Sequence, residues 1–290
     1  MALPLASESI SVAVERGMRE SATFTHRGID IPYSELPNAE TNLLFGNVLW
    51  PCAEALARII IDAQQGLAKV WTPSAAKQLG VPLEVILARR FGLTKVAPAP
   101  VPDAFERLGL EAIVPKFGNE CSVLEIGAGV GLAGLACHAC GATTLITDGE
   151  SRLIKNLQAK HAGNHDLRFE VLDWRTDFLP FDASCDHGVE TFDVILGCEV
   201  LHPVCRGEVH VPQLIARRLK KTAGARAILV TEVRSATTCE TAVRELCAHG
   251  LVVATFQICN GREAFETPSE CVPQPGACWL LLASWPPASR

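Results

Sequence analysis

"VLEIGAGVGLAGLACHACG", Val123 to Gly141, opens as an apolar run, breaks into three alternate glycines and closes as a helix of small residues. A strand that ends in Gly127-Ala128-Gly129-Val130-Gly131 and turns into a helix presents bare backbone to a ligand, because only glycine tolerates both the turn and the close approach. A nucleotide-like ligand is implied. A dinucleotide turn takes G-x-G-x-x-G, whereas here Leu132 stands in the third glycine's place and Gly131 comes one residue early. Glu125 precedes the first glycine by two residues. Asp148 ends the next expected strand about 20 residues on, where an acid accepts hydrogen bonds from ribose hydroxyls. The pattern points to an adenosine without a pyrophosphate to neutralise.

Outward from this turn, short β-rich runs alternate with helical patterns, which predicts βαβ units and a parallel sheet. Strands are expected at Ser122–Ile126, Thr143–Thr147, Arg168–Leu172, Phe192–Gly197, Ala227–Glu232, Leu251–Ile258 and Cys278–Ser284. Helices are expected at Leu132–Cys140, Ser151–His161, Val211–Thr222 and Thr238–His249, with Gly141, Gly163, Gly224 and Gly250 as their stops. Between the last two strands, "CNGREAFETPSECVPQPGA" has turn chemistry and no helical period, so those strands should form an antiparallel hairpin. The expected fold class is α/β: a Rossmann-like, seven-stranded, mostly parallel sheet with one antiparallel strand and helices on both faces.

Upstream, "TFTHRGIDIPYSE" reads as a strand or short hairpin, and Trp50-Pro51 leads into an amphipathic helix with proline near its first position. "SAAKQLGVPLEVILARRFGL" suggests further helix, and "VAPAPVPDAF" a stiff linker. The division this implies is residues 1–120 as an N-terminal extension (hairpin, Trp-Pro helix, inserted helical segment, linker) packing on a core of residues 121–290.

The 290 residues suffice for one large α/β domain that buries roughly 75% of its unfolded surface. A net charge of −6 gives no electrostatic footprint for nucleic acid. The N-terminus has no signal-peptide pattern, and no apolar run reaches the roughly 18 residues that a membrane span needs. The expectation is a soluble cytoplasmic (or nuclear) protein, by default a monomer. Of twelve cysteines, Cys121, Cys137, Cys198, Cys247, Cys259 and Cys278 lie in apolar runs that read as core, in the reduced state. Cys137 and Cys140 have half of a zinc-knuckle spacing, but no second half follows, so packing is expected and no metal. "SCDHGVE", Ser184–Glu190, also contains possible metal ligands, and an exposed loop explains it as well.

E-x-G-x-G-x-G followed by a strand-ending acid resembles motif I of class I S-adenosylmethionine-dependent methyltransferases. "GNVLWPCAEALARII", "VLDW" at Val171–Trp174 and "FDVILGCEVLH" at Phe192–His202 are similar to segments of the seven-strand protein-lysine methyltransferases that modify elongation factors and chaperones. The resemblance runs from Phe24 to about Trp285, except for a stretch from about Gly66 to Glu120 that reads as an insertion. It implies S-adenosylmethionine as cofactor. Glu125, Gly127, Gly129 and Gly131 would line its methionine and ribose end, Asp148 would bind ribose, and Asp173 and Trp174 would hold adenine. Trp50 would close the site, and Cys198 would border the cofactor.

That family usually carries Asp-x-x-Tyr, or a near variant, after the fourth strand, whereas this chain has Glu199-Val200-Leu201-His202. The carboxylate is kept and the aromatic hydroxyl is not. The candidate catalytic pair is then Glu199, to orient an amine, and His202, to accept or relay a proton, with structural packing before Pro203 as the other reading of His202. The expected activity is methyl transfer to a lysine of a protein substrate. Histidine, arginine, a small-molecule amine and a hydroxyl remain open as acceptors, as do a small-molecule methyltransferase, a non-catalytic binding or scaffold protein, and NAD-dependent redox chemistry.

Overall fold

A computed structural model describes residues 21–35, 49–66, 114–164, 166–176, 189–232, 236–258 and 278–286. The inserted helical segment, the linker, Cys259 and most of Ser184–Glu190 lie outside the described residues.

A seven-stranded sheet forms the centre, built from β3 (Ser122–Ile126), β4 (Thr143–Asp148), β5 (Leu167–Val171), β6 (Val194–Cys198), β7 (Arg226–Glu232), β8 (Val252–Ile258) and β9 (Cys278–Ser284). Their order is β5-β4-β3-β6-β7-β9-β8. The first five of that order pair in parallel, and β9 runs antiparallel to both β7 and β8. Chain order reverses direction on either side of β3, and the carboxyl ends of strands at such a switch point leave a crevice.

The core strands are apolar on both faces, as strands covered by helices require. Val123 packs with one set of helices and its neighbour Leu124 with the other, the period of two expected of a strand. On the first face lie α1 (Pro51–Gln64), α2 (Leu132–Ala139), α3 (Ser151–Lys160) and the hairpin of β1 (Ala22–His26) and β2 (Ile29–Tyr33). On the second lie α4 (Gly207–Arg218) and α5 (Ala236–Ala248).

The N-terminal segment is bound to this frame by burial and by polar contacts. Phe24, Ile31 and Tyr33 join the first core, as do Leu56 and Ile60 of α1. His26 Nε2 lies 2.9 Å from Asp62 Oδ1, and the Arg58 guanidinium sits 5.2 Å from the Phe24 ring centre. Asn156 of α3 donates to Ser34 Oγ at 2.9 Å, and Lys116 donates to the carbonyls of Ala63 and Gln64 at the end of α1.

Three expectations need correction. The helix expected at Val211–Thr222 spans Gly207–Arg218. Pro212 sits inside it, and its start is hidden because Arg206 caps it in the left-handed region, with φ of 50° and no side-chain cap bond. Phe192 precedes β6 and makes only an isolated bridge to Leu219. Cys247, read as core, is exposed near the end of α5, whereas Cys137 is fully buried.

Candidate active site

At the carboxyl ends of β3, β4 and β6 lies a cavity of about 410 Å³. Its wall includes Trp50, Gly127, Gly129, Asp148, Asp173, Trp174, Cys198, Glu199 and His202, so nine of the residues singled out in the sequence meet there.

The glycine turn forms one side. Gly127, Gly129 and Gly131 all have positive φ, of 58°, 57° and 76°. A Cβ on Gly127 would stand 2.8 Å from Val200 Cγ1 and 3.1 Å from Trp174 Cζ3, so the backbone there can approach both only without a side chain. Asp148 fixes the turn from β4: its Oδ2 accepts from the Gly129 N–H at 2.9 Å and its Oδ1 from the Glu150 N–H at 2.9 Å. Burial raises the Asp148 carboxyl above the usual carboxylate range, against the pull of these N–H donors.

Two expected cofactor residues stand back from the wall. Gly131 is the N-cap of α2, a position at which glycine offers no side-chain acceptor to the first turn. Glu125 supplies that acceptor from the preceding strand. It faces α2 on the same side of β3 as Val123, and its Oε2 accepts from the Gly134 N–H at 2.9 Å. Glu125 is only 2% exposed, and burial pushes its carboxyl up to about 8. An acid whose carboxyl is raised by burial therefore sits behind the turn and holds strand to helix. The sign was in the sequence: a glycine N-cap with an acid at the end of the strand before it.

Against the glycine turn stands Trp174, whose indole N–H donates to the Cys205 carbonyl at 3.4 Å. Beside it, the Arg175 guanidinium grips the Asp173 carboxylate, with Nε to Oδ1 at 2.9 Å, and holds that carboxyl below its ordinary value. Arg175, Glu150 and Cys205 also line the cavity, although the sequence reading passed over them.

Beside the glycine turn, the chain leaves β6 through Glu199 and His202. Glu199 is a non-glycine residue with φ of 56°, a conformation that costs about 1 kcal/mol and persists only where surroundings impose it. Its N–H donates to the Val230 carbonyl at 2.9 Å. Its side-chain Oε1 accepts from the Glu232 N–H at 2.7 Å and from the Cys52 thiol at 2.8 Å. His202 caps the short 3-10 turn Pro203–Cys205, its Nδ1 accepting from the Val204 N–H at 3.2 Å. That contact places the proton of the neutral ring on Nε2.

The charge pattern tests which ligand fits. Asp148, Glu150, Asp173 and Glu199 face Arg175, which is already engaged by Asp173. Such a wall repels a pyrophosphate and suits a sulfonium with an ammonium and ribose hydroxyls. Among the described residues, no three His, Cys, Asp or Glu side chains gather as a metal would need, and no helix is long and apolar enough to cross a membrane.

Sheet order, glycine turn and acid-lined crevice are those of the class I S-adenosylmethionine-dependent methyltransferase fold. Residues 105–229 match the family model described as lysine methyltransferase. No curated protein matches the chain. Among solved structures it is similar to a TehB-like S-adenosylmethionine-dependent methyltransferase from Corynebacterium glutamicum, at 16% identity and a TM-score of 0.42, covering 77% of this chain and 98% of that one. It is also similar to the N-methyltransferase NodS from Bradyrhizobium japonicum, at 17% identity and a TM-score of 0.40, over 57% of this chain and 86% of that one. The magnesium protoporphyrin IX methyltransferase from Synechocystis, solved with bound S-adenosylhomocysteine, gives 15% identity and a TM-score of 0.40 over 59% and 76%.

Proposed function

We propose that this methyltransferase acts on the side-chain amine of a lysine in a protein substrate. The observation that carries the reading is Glu199, a carboxylate held in a left-handed backbone on the wall of the cavity beside the glycine turn, in a chain that matches the lysine methyltransferase model over residues 105–229. When bound, S-adenosylmethionine supplies an activated methyl on sulfur. The residues around it then have to align a neutral nitrogen in line with that methyl and exclude water.

In this reading Gly127 and Gly129 lend bare backbone to the methionine and ribose end. Asp148 keeps the turn in register and borders the ribose. Asp173 and Trp174 flank adenine, and Trp50 and Cys198 close the side nearest α1. Glu199 receives the incoming ammonium and, once that group has given its proton to solvent, orients the neutral amine. His202 shapes the wall and caps the following turn; its engaged Nδ1 makes it a poor proton acceptor without loss of the Val204 contact. The acidic surround supports a cationic side chain as acceptor over a neutral hydroxyl.

Incubation of the purified protein with methyl-labelled S-adenosylmethionine and a cell extract tests the reading. Discrete labelled protein bands are expected. Label confined to low-mass products after protein removal would overturn it in favour of a small-molecule acceptor.

A further inference from the structure

We infer that Cys52 is a positioning residue for methyl transfer, its thiol fixing the Glu199 carboxylate at the acceptor end of the cleft. The inference rests on the functional reading above, because it assigns a residue that acts through Glu199.

A glutamate side chain has three rotatable bonds, and nothing in a strand end by itself tells it where to point. At Glu199 two donors converge on the same oxygen, Oε1. One is the main-chain N–H of Glu232 at 2.7 Å, supplied by the end of β7. The other is the Cys52 thiol at 2.8 Å, supplied by the first turn of α1. Donors from two elements, the neighbouring strand β7 and the helix α1 on the face of the sheet, define the carboxylate's direction in a way that one alone does not. A thiol is ordinarily a weak donor, yet an ionised acceptor strengthens such a bond.

Cys52 stands two residues beyond Trp50, and both Trp50 and Ala53 line the cavity, while Cys52 itself is buried at 2% exposure. A second sulfur contact closes the same seam: the Cys198 thiol faces the Cys52 carbonyl at 3.6 Å. The start of α1 therefore reaches the cleft twice, by the indole of Trp50 and, through Glu199, by the Cys52 thiol. Proline at the first helical position pre-sets the entry of the chain and so fixes where that thiol lies. A buried cysteine among apolar neighbours otherwise serves as a small filler, and that role would ask for volume but not for a donor.

Donor and volume are separable by substitution. Cys52→Ser keeps a hydroxyl donor, whereas Cys52→Ala and Cys52→Val remove the donor and bracket the volume. The measurements are S-adenosylhomocysteine affinity by calorimetry, thermal midpoint, and kcat and KM for transfer to the labelled protein acceptor. With Cys52→Ala and Cys52→Val, kcat is expected to fall about tenfold, the loss of one bond to a charged group, while cofactor affinity stays within about twofold. Cys52→Ser should recover kcat to within about threefold of wild type. Unchanged kcat in Cys52→Ala and Cys52→Val would overturn the inference, as would a Cys52→Ser enzyme as slow as Cys52→Ala at an unchanged thermal midpoint. The wild-type reaction separates the two claims: without labelled protein the functional reading fails, whereas labelled protein with indifferent Cys52 variants refutes only the positioning role.

Discussion

In the proposed reading the cleft has a cofactor end and an acceptor end, and the two are built by different means. The cofactor end uses main-chain N–H groups and missing side chains, and its parts come from residues 125–131, 148–150 and 172–174. The acceptor end is assembled from groups carried by distant parts of the chain: the Cys52 side chain on α1, the Glu199 side chain after β6, and the main chain of Glu232 at the end of β7. The first end is a property of a turn and the second a property of the assembled fold, so changes at the two should separate binding from transfer.

Gly127→Ala should give the largest effect. A Cβ there meets Val200 and Trp174 and forces a left-handed alanine, so S-adenosylhomocysteine affinity should fall by more than about a hundredfold by calorimetry, with about 2 kcal/mol of stability lost in urea titration. At the other end, Glu199→Gln should reduce kcat by about a hundredfold while cofactor affinity stays within about twofold. If Glu199→Gln abolished cofactor binding, the division between the ends would collapse.

Glu125 sharpens the comparison from behind the turn. Its carboxyl titrates near 8 in the folded protein against about 4.5 when unfolded, so between those values the folded state holds the extra proton. Stability from this group is therefore full below about 4.5, declines as pH rises, and is lost through pH 8, with a slope of at most about 1.4 kcal/mol per pH unit. Urea denaturation from pH 6 to 9 should show that decline, and Glu125→Gln should flatten it. Gly131→Ala should show the smallest change. Its Cβ would press on Leu157 at 3.1 Å rather than on the cavity, costing about 1 kcal/mol of stability with cofactor affinity changed less than about threefold.

The difference between the ends also explains what could be read in the sequence. The strands at Ser122–Ile126 and Cys278–Ser284 and the helix starts at Leu132 and Ser151 follow from local periodicity and glycine stops, and they stand where expected. The start of α4 at Gly207 escaped because neither Arg206 nor Gly207 carries a capping signal, and Pro212 reads as a first-turn residue although it lies inside the helix. In the cleft, Gly127 and Asp148 were legible because strand, turn and strand end fix their places within a short span, whereas Trp174 was legible only through the resemblance of "VLDW" to a family segment. The contact of Glu125 with Gly134 was not read, since an acid ahead of a glycine turn suggests a ligand before it suggests a helix donor. Cys52 was not singled out in the sequence: its partner lies 147 residues away, and only the packing of α1 across β6 brings the two together.

The most direct test of the central claim is the identity of the methylated residue. Labelled protein from the extract reaction, made with wild-type and Glu199→Gln enzymes, is hydrolysed and its methylated amino acid identified by mass spectrometry. The account predicts Nε-methyllysine from the wild type and roughly a hundredfold less from Glu199→Gln at equal cofactor occupancy. Label on another amino acid, or equal methyllysine from both enzymes, would contradict it.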